Sequence, residues 1–286
     1  MSAAGPALAE EPASRIFLEH LTAARLNPLG LQDHATVSYR LRLYDTDSDV
    51  LAGNYLMIGP TMSVSPAFVK PGIRVKLKPT ALTEFTAAYQ HEAFFGTFDA
   101  ITFFDNTQAD WSDTNIDIIA PAGAAQPGGG PMLSLTGRFQ IALGPIAARY
   151  TMLARQHNIK NPGGAYMWDA SPDMLVPAQG WYSQHDTDAI YLAGSAKLGM
   201  RWTYVAPYFG NGAKSEGNDS HKVGPLIAYS LPAGRTGSAF AHPTAIVLSQ
   251  WHLKHRFRTG VDVPQAIPYF ALVFLFEGDL MPFDLD

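Results

Sequence analysis

The strongest constraint on the fold of this chain is a stretch near its carboxyl end, residues 244–279, in which polar and apolar residues alternate. In its first half, one phase holds Gln250, His252, Lys254, Arg256 and Arg258, and the other holds Ser249, Trp251, Leu253 and Phe257. A period of two residues predicts a β-strand with one polar and one apolar face. Gly260 and Pro264 then predict a turn, and 267–276 follows as a strand that is apolar in both phases. This stretch therefore predicts a β-hairpin.

The same alternation recurs along most of the chain, between turn signals. The clearest case is 34–45, and further strands are predicted at 54–65, 72–79, 83–95, 132–143, 146–157, 180–193, 196–209 and 222–231. The segment 14–25 is compatible with a few turns of helix or with a first strand, and 166–176 is a poor strand broken by Pro172. We count about 12 strands, an even number of the kind found in single-chain bacterial membrane barrels.

Composition narrows the class of protein. The 286 residues include no cysteine, which excludes disulfides, thiolate metal sites and cysteine nucleophiles. Hydrophobic residues make up 47% of the chain and charged residues only 16%, against about 25% charged in typical soluble domains. No window approaches the roughly 20 apolar residues of a membrane-spanning helix. The net charge of −5 and the lack of a basic run argue against nucleic acid as a partner.

Three features favour strands that cross a lipid bilayer. Cations recur inside the strands and share the polar phase, the loops are acidic, and aromatic residues fall near predicted strand ends. Those aromatic residues are Tyr44, Tyr55, Phe94, Phe95, Trp168, Trp181, Tyr182, Tyr208 and Tyr269. Interfacial girdles of membrane barrels use amphipathic rings at such positions. We therefore predict an all-β fold, a transmembrane antiparallel up-and-down β-barrel, with a soluble ligand-binding β-barrel as the alternative.

The last predicted strand resembles the closing strand of bacterial outer-membrane β-barrel proteins. The residues that carry the resemblance are Tyr269, Ala271, Val273, Phe274, Phe276 and Gly278. The chain departs from the familiar form because it continues through 277–286 instead of ending on an aromatic residue. The phrases GPTMSVSPAF, WHLKHRFRTG and QAIPYFALVFLFEGDL resemble uncharacterised outer-membrane proteins of gliding or predatory soil bacteria. The resemblance implies a location in the cell outer membrane, in contact with its lipid and lipopolysaccharide.

The polar phase of the strands predicts the lining of the barrel lumen. It contains Arg40, Arg42, Arg74, Lys76, Lys78, Glu84, Arg138, Arg149, Arg155, Arg201, Gln250, His252, Lys254 and Arg256. If the lumen is open, rings of Arg and Lys select anions. If it is closed, these cations need carboxylate partners from loops or from an inserted segment, because unpaired buried charge is costly.

No catalytic or metal-binding motif stands out, and we expect no cofactor, no metal and no enzyme. His252 and His255 are three residues apart, which on a strand places them on opposite faces. His185, with Asp186, Asp188 and Ser183 nearby, is the nearest approach to a hydrolase site, although a polar strand end explains it as well.

One domain is expected at 14–286, preceded by a residual leader or flexible amino terminus at 1–13. The longest irregular stretch, 96–131, is predicted to be a long loop, a kind of segment that is usually functional. We expect an integral outer-membrane barrel that acts as a channel, or as a structural anchor of an envelope complex through this loop and the amino terminus. Possible protein partners are periplasmic or envelope-complex proteins. The alternatives are an outer-membrane hydrolase with a His/Asp site and the soluble barrel.

Overall fold

A computed structural model describes residues 13–98, 101–121, 127–160, 163–209, 213–214, 217–231, 241–259 and 268–283. Its strands are β1 (Ser14–Leu26), β2 (Gly30–Leu41), β3 (Tyr55–Ser65), β4 (Phe68–Thr80), β5 (Thr83–Phe94), β6 (Ile101–Phe104), β7 (Gly128–Leu143), β8 (Ile146–Asn158), β9 (Tyr166–Asp169), β10 (Met174–Pro177), β11 (Gln179–Ala193), β12 (Ala196–Phe209), β13 (Ala213–Lys214), β14 (Ser220–Ser230), β15 (Ala241–Lys254) and β16 (Tyr269–Phe283). One helix, α1 (Asp113–Ile119), lies between β6 and β7.

Twelve of these strands form a closed ring. The order is β11-β8-β7-β5-β4-β3-β2-β1-β16-β15-β14-β12, and β12 pairs back onto β11. Every pair is antiparallel. Each barrel strand lies beside the barrel strands that precede and follow it in the chain, and the first strand, β1, pairs with the last, β16, to complete the ring. The prediction of an up-and-down β-barrel with about 12 strands is confirmed.

The two faces of the wall differ as the alternation predicts. On β4, Lys70 and Lys76 are buried on the inner side, while Ile73 between them is 60% exposed on the outer side. Large apolar residues are exposed on the outside of most barrel strands, among them Val37, Ile58, Phe85, Leu135, Ile146, Tyr191, Leu198, Ile227, Leu253 and Leu272. Such a surface is costly in water and is suited to lipid. The protein is thus built as an outer-membrane barrel, with its cations inside, and a soluble barrel would require the opposite arrangement.

The two ends of the barrel differ in their connections. The two-residue turns 81–82, 144–145 and 194–195, together with the first residue of β1 and the last of β16, lie at one end, which we call the turn end. The described residues of the three long connections lie at the other end, the loop end, namely 95–98, 101–121, 127, 159–160, 163–178, 255–259 and 268. In bacterial barrels the long loops face the cell exterior and the short turns face the periplasm.

A second, three-stranded sheet fills the loop end. Its order is β10-β9-β6, and together with α1 it forms what we call the plug, residues 101–121 and 163–178. Met167 and Met174 of the plug are 0% exposed and pack in one cluster with Phe94, Tyr182 and Val205 on the inner face of the wall. The plug therefore shares an apolar core with the barrel strands around it.

Several expectations need correction. The segment 14–25 is the first barrel strand, whereas 166–176 forms β9 and β10 of the plug and is not part of the wall. The predicted loop 96–131 contains β6 and α1, and its glycine-rich end opens β7. Glycine is required there because a Cβ at Gly130 would lie 1.9 Å from the carbonyl oxygen of Asn158.

The expected amino-terminal leader spans 1–13, of which 1–12 lie outside the described residues. The strand β1 begins at Ser14. Among the described residues, no helix has the length and apolar character to cross a membrane.

Candidate functional site

The turn-end half of the barrel encloses a polar cavity of about 610 Å³. It reaches the turn of Ala81 and Leu82, so it extends to the turn end of the wall. Its charged lining consists of the cations Arg74, Lys76, Lys78, Arg138 and Arg155, the carboxylates Glu19, Glu84 and Glu277, and two histidines, His20 and His34. Cations thus outnumber carboxylates, and the cavity is the candidate functional site.

The ion pairs of the cavity leave some cations without a carboxylate. Glu19 alone binds both Lys76 and Arg74, with 2.9 Å from Arg74 Nη2 to Glu19 Oε2. Arg138 Nη1 lies 3.1 Å from Glu84 Oε1. Lys78 and Arg155 form no described ion pair, and Arg155 instead donates to the hydroxyls of Ser134 and Tyr182 at 3.1 and 2.9 Å.

Six residues predicted for the lumen line this cavity, namely Arg74, Lys76, Lys78, Glu84, Arg138 and Arg155. Others share the inner face but have local partners. Arg149 and Arg201 both bind Asp188, whose side chain is 1% exposed. The guanidinium of Arg40 lies 4.2 Å from the ring centre of Tyr55.

The remaining predicted lumen residues are fixed elsewhere. Gln250 is 1% exposed and donates to the Thr203 hydroxyl at 3.0 Å. Arg42 and Arg256 lie beyond the ends of β2 and β15, and Lys254 at the end of β15 binds Asp219 at 2.7 Å. The sequence pattern missed these strand ends because the alternation runs on into the turns.

His252 lies beside His255, and the two ring centres are 4.7 Å apart. The expectation that they point to opposite faces was wrong because β15 ends at Lys254, so His255 is no longer part of a strand. Among the described residues, no group of three or more potential ligands could hold a metal ion.

An ionic cluster ties the plug to the segment that follows β15. Arg258 Nε donates to Asp173 Oδ2 at 2.8 Å, and Nη2 donates to Asp113 Oδ1 at 2.9 Å. Asp173 lies between β9 and β10, and Asp113 begins α1, so one guanidinium joins both parts of the plug. His255 Nε2 adds a hydrogen bond of 2.9 Å to the carbonyl oxygen of Asp173.

Burial and the neighbouring charges determine the protonation states of Asp173 and His255 in this cluster. Burial acts to raise the pKa of Asp173, but its electrostatic interactions with His255 and with the Arg258 guanidinium outweigh burial and hold that pKa well below its usual range. Burial lowers the pKa of His255, although Asp173 opposes the shift. Asp173 is therefore ionised at neutral pH, and His255 is neutral.

A second buried group of charges links the plug to the wall. Glu92 is 0% exposed and binds Lys70 and His157, each at 2.6 Å. The other ring nitrogen of His157 lies 3.7 Å from Asp169 of β9. No sequence pattern marks this group, because His157 and Asp169 come from β8 and β9, far along the chain from the β4–β5 hairpin that carries Lys70 and Glu92.

The predicted hydrolase constellation is not assembled. Asp186 and Asp188 face the lumen, where Asp186 accepts from Thr203 at 2.6 Å and Asp188 binds arginines. His185 faces outward, where its ring nitrogens contact the Tyr150 hydroxyl at 2.7 Å and the Ser183 hydroxyl at 3.1 Å. Strand alternation thus separates the histidine from both carboxylates.

The predicted aromatic girdle is only partly present. Phe95 and Tyr208 are 49% exposed, as girdle residues should be, but Phe94 and Tyr182 are buried in the core shared by plug and wall, and Trp168 is buried within the plug. An outward ladder of rings that the sequence did not single out runs across β8, β11, β12 and β14. It consists of Tyr150, His185, Trp202, Tyr204 and His221.

Solved structures with a similar course of the chain are outer-membrane proteins. An outer membrane channel from Pseudomonas putida F1 is 10% identical, with 97% of this chain and 100% of that chain covered and a TM-score of 0.43. OccAB1 from Acinetobacter baumannii is 10% identical, with 94% and 96% covered and a TM-score of 0.39. OprD from Pseudomonas aeruginosa is 9% identical, with 96% and 98% covered and a TM-score of 0.33.

No family model matches this chain, and no curated protein matches it. What the chain does is therefore inferred from its own side chains.

Proposed function

We propose that the protein is an outer-membrane channel that prefers small anions and is closed at its loop end by the plug. The observation that carries this proposal is the cavity of about 610 Å³ inside the barrel, where five cations face three carboxylates. An inner surface with excess positive charge favours anions over cations. The role is transport, without a catalytic step.

The plug closes the cavity on the side of β5, β7 and β8, whereas on β2 and β3 the lining continues to Gln32 and Ser63 near the loop end. On β5, β7 and β8, the cavity-lining residues nearest the loop end are Gln90, Ser134 and Arg155. Two residues farther along β5 and β8, Glu92 and His157 are almost fully buried beneath the plug. A solute that enters from the turn end along this side therefore meets the plug, and passage there requires the plug to move.

The contacts that hold the plug combine apolar packing with a few ion pairs, and these pairs are suited to a gate. Removing one partner of a buried ion pair costs about 3–5 kcal/mol because the other charge stays buried and unpaired. Arg258 is such a partner for Asp173. Loss of Arg258 should therefore shift the plug toward an undocked state.

Lipid tails of the outer membrane contact the outward apolar face. We extend the proposal to lipopolysaccharide on the outer surface where the rings of Trp202, Tyr204 and His221 stack, from the middle of β12 to the loop-end start of β14. Amphipathic rings of this kind occupy the headgroup level of membranes.

Single-channel recording in planar bilayers tests the channel proposal, with the wild type compared with Arg258→Ala. We expect brief or small openings for the wild type and frequent openings for the variant, with a reversal potential in a KCl gradient that indicates anion preference. Arg42→Ala is the matched control because Arg42 lies at the turn end, away from the plug, and its ion-pair partner Asp45 has a side chain that is 77% exposed. If neither the wild type nor Arg258→Ala conducts above leak, the protein is not a channel.

A further inference from the structure

The blind end of the cavity has the chemistry of a binding site and not only of a passage. Arg74, Ala88, Ser134, Arg155 and Tyr182 are directly paired across β4, β5, β7, β8 and β11, in one inward-facing row. Neighbouring strands are about 4.8 Å apart, so the backbones of the two arginines are separated by roughly 14 Å. The two residues between them, Ala88 and Ser134, are small, which leaves room for a ligand on the inner side of the wall.

The next row toward the turn end continues this floor. It contains Lys76, Thr86, Thr136 and Leu153, paired in the same order across β4, β5, β7 and β8. Thr86, Thr136 and Ser134 supply three hydroxyl groups between cations on either side. Hydroxyl and guanidinium donors around one gap are the groups that bind an oxyanion.

Arg155 is the group in this row whose charge lacks a direct carboxylate. It donates from Nε to Ser134 and from Nη1 to Tyr182, and Nη2 has no hydrogen-bond partner among the described residues. Tyr182 is 1% exposed and belongs to the core beneath the plug, so it holds the guanidinium at the boundary between plug and cavity. The arginine is therefore positioned before any ligand arrives.

We propose that the blind end of the cavity binds one small oxyanion, a carboxylate or phosphate group, between Arg155 and the hydroxyl floor of Ser134, Thr86 and Thr136. The site rests on the proposed channel function and gives it a substrate class. An anion that enters from the turn end is held directly below the plug. Its negative charge replaces the carboxylate that Arg155 lacks.

Equilibrium dialysis of the purified protein in nonionic detergent tests the site, with inorganic phosphate and acetate as separate probes at constant ionic strength. We expect saturable binding of about one anion per chain, and the probe that binds more tightly identifies the phosphate or carboxylate class. Arg155→Gln removes charge-assisted hydrogen bonds to the anion, so it should weaken binding about tenfold or more. Arg155→Lys should recover part of the loss.

Arg149→Gln is the matched control. Arg149 lies on the same strand and the same face and carries the same charge, but it binds Asp188 and does not line the cavity. Binding should change less than twofold, and an equal loss in both variants would mean that only overall charge matters, which overturns the site.

A second variant serves if Arg155→Gln fails to give a folded barrel. Ser134→Val keeps the cations, fills the gap and removes one hydroxyl, so it should weaken binding to a similar degree. Undiminished binding in Ser134→Val, or no saturable binding by the wild type, also overturns the site. The binding result is independent of conductance. If the protein binds phosphate but passes no ions, the site is confirmed and the channel proposal is wrong.

Discussion

The two halves of the barrel interior are filled in different ways. In the loop-end half, two connecting segments fold into a sheet and a helix whose apolar residues meet the wall, with Met167 and Leu175 completely buried. In the turn-end half, cations and hydroxyls line a cavity, and the described connections there, from the two-residue turns to the longer segment 42–54, contribute only Ala81 and Leu82 to its lining. The same wall thus encloses an apolar core at one end and a polar cavity at the other, because only at the loop end do connecting segments fold into the barrel.

The largest contrast should come from truncating one leucine in each half. Leu175→Ala should lower the free energy of unfolding of the plug by about 2–5 kcal/mol, since it leaves a hole in a packed core. Leu153→Ala, whose side chain lines the cavity, should cost clearly less. Tryptophan fluorescence in urea follows the plug, because Trp111 and Trp168 pack in the same cluster as Leu175. Equal losses would mean that the two halves are packed alike.

A second contrast compares the two faces of the turn-end half. Leu135→Arg places a charge on the outer face, where we expect a cost of about 2–4 kcal/mol near the middle of the bilayer. Thr136→Arg, one residue on, points into the cavity and should be tolerated. Folding yield into lipid vesicles measures the difference. If both variants fold equally well, the outward face does not contact hydrocarbon.

The frequency of channel openings should depend on pH through the groups that dock the plug at the loop end. His255, with its lowered pKa, takes up a proton more readily when the plug is undocked, so docking weakens as the pH falls below about 6.5. The groups that face it are Asp173, Arg258, Lys222 and His252, and the ionised Asp173 loses its contribution only at much lower pH. Channel openings should therefore increase on acidification, by at most about tenfold per pH unit for one proton.

His255→Gln should reduce the rise in openings below about pH 6.5, because it removes the proton that His255 takes up more readily when the plug is undocked. Openings that rise equally steeply in the variant would assign the response to another group.

The smallest effect is expected at the turn end. Glu84→Gln frees Arg138 from its carboxylate partner and makes the cavity more positive by one charge. Because the Arg138 side chain is 38% exposed, stability should change by no more than about 1 kcal/mol. The reversal potential in a KCl gradient should shift further toward anions. A shift toward cations would show that this pair does not face the conduction path.

Much of the wall could be predicted from the chain. The clear alternation of 196–209 and 146–157 gave strands that differ from the structure by a residue or less at each end. Arg74, Lys76 and Lys78 share one phase of β4, and all three line the cavity. The plug could not be predicted in the same way, because β6, β9 and β10 are four residues each, too short to show a period.

The sequence by itself determined the wall, since a period of two residues places each side chain on the lipid face or the inner face wherever a strand continues. Only the tertiary structure decided what fills the barrel. Arg258 binds Asp173 and Asp113, and His157 binds Glu92, across distances in the chain that no local pattern records. The cost of leaving buried charges unpaired selects these partners, and that selection takes place only when the ring closes and the loops fold into it.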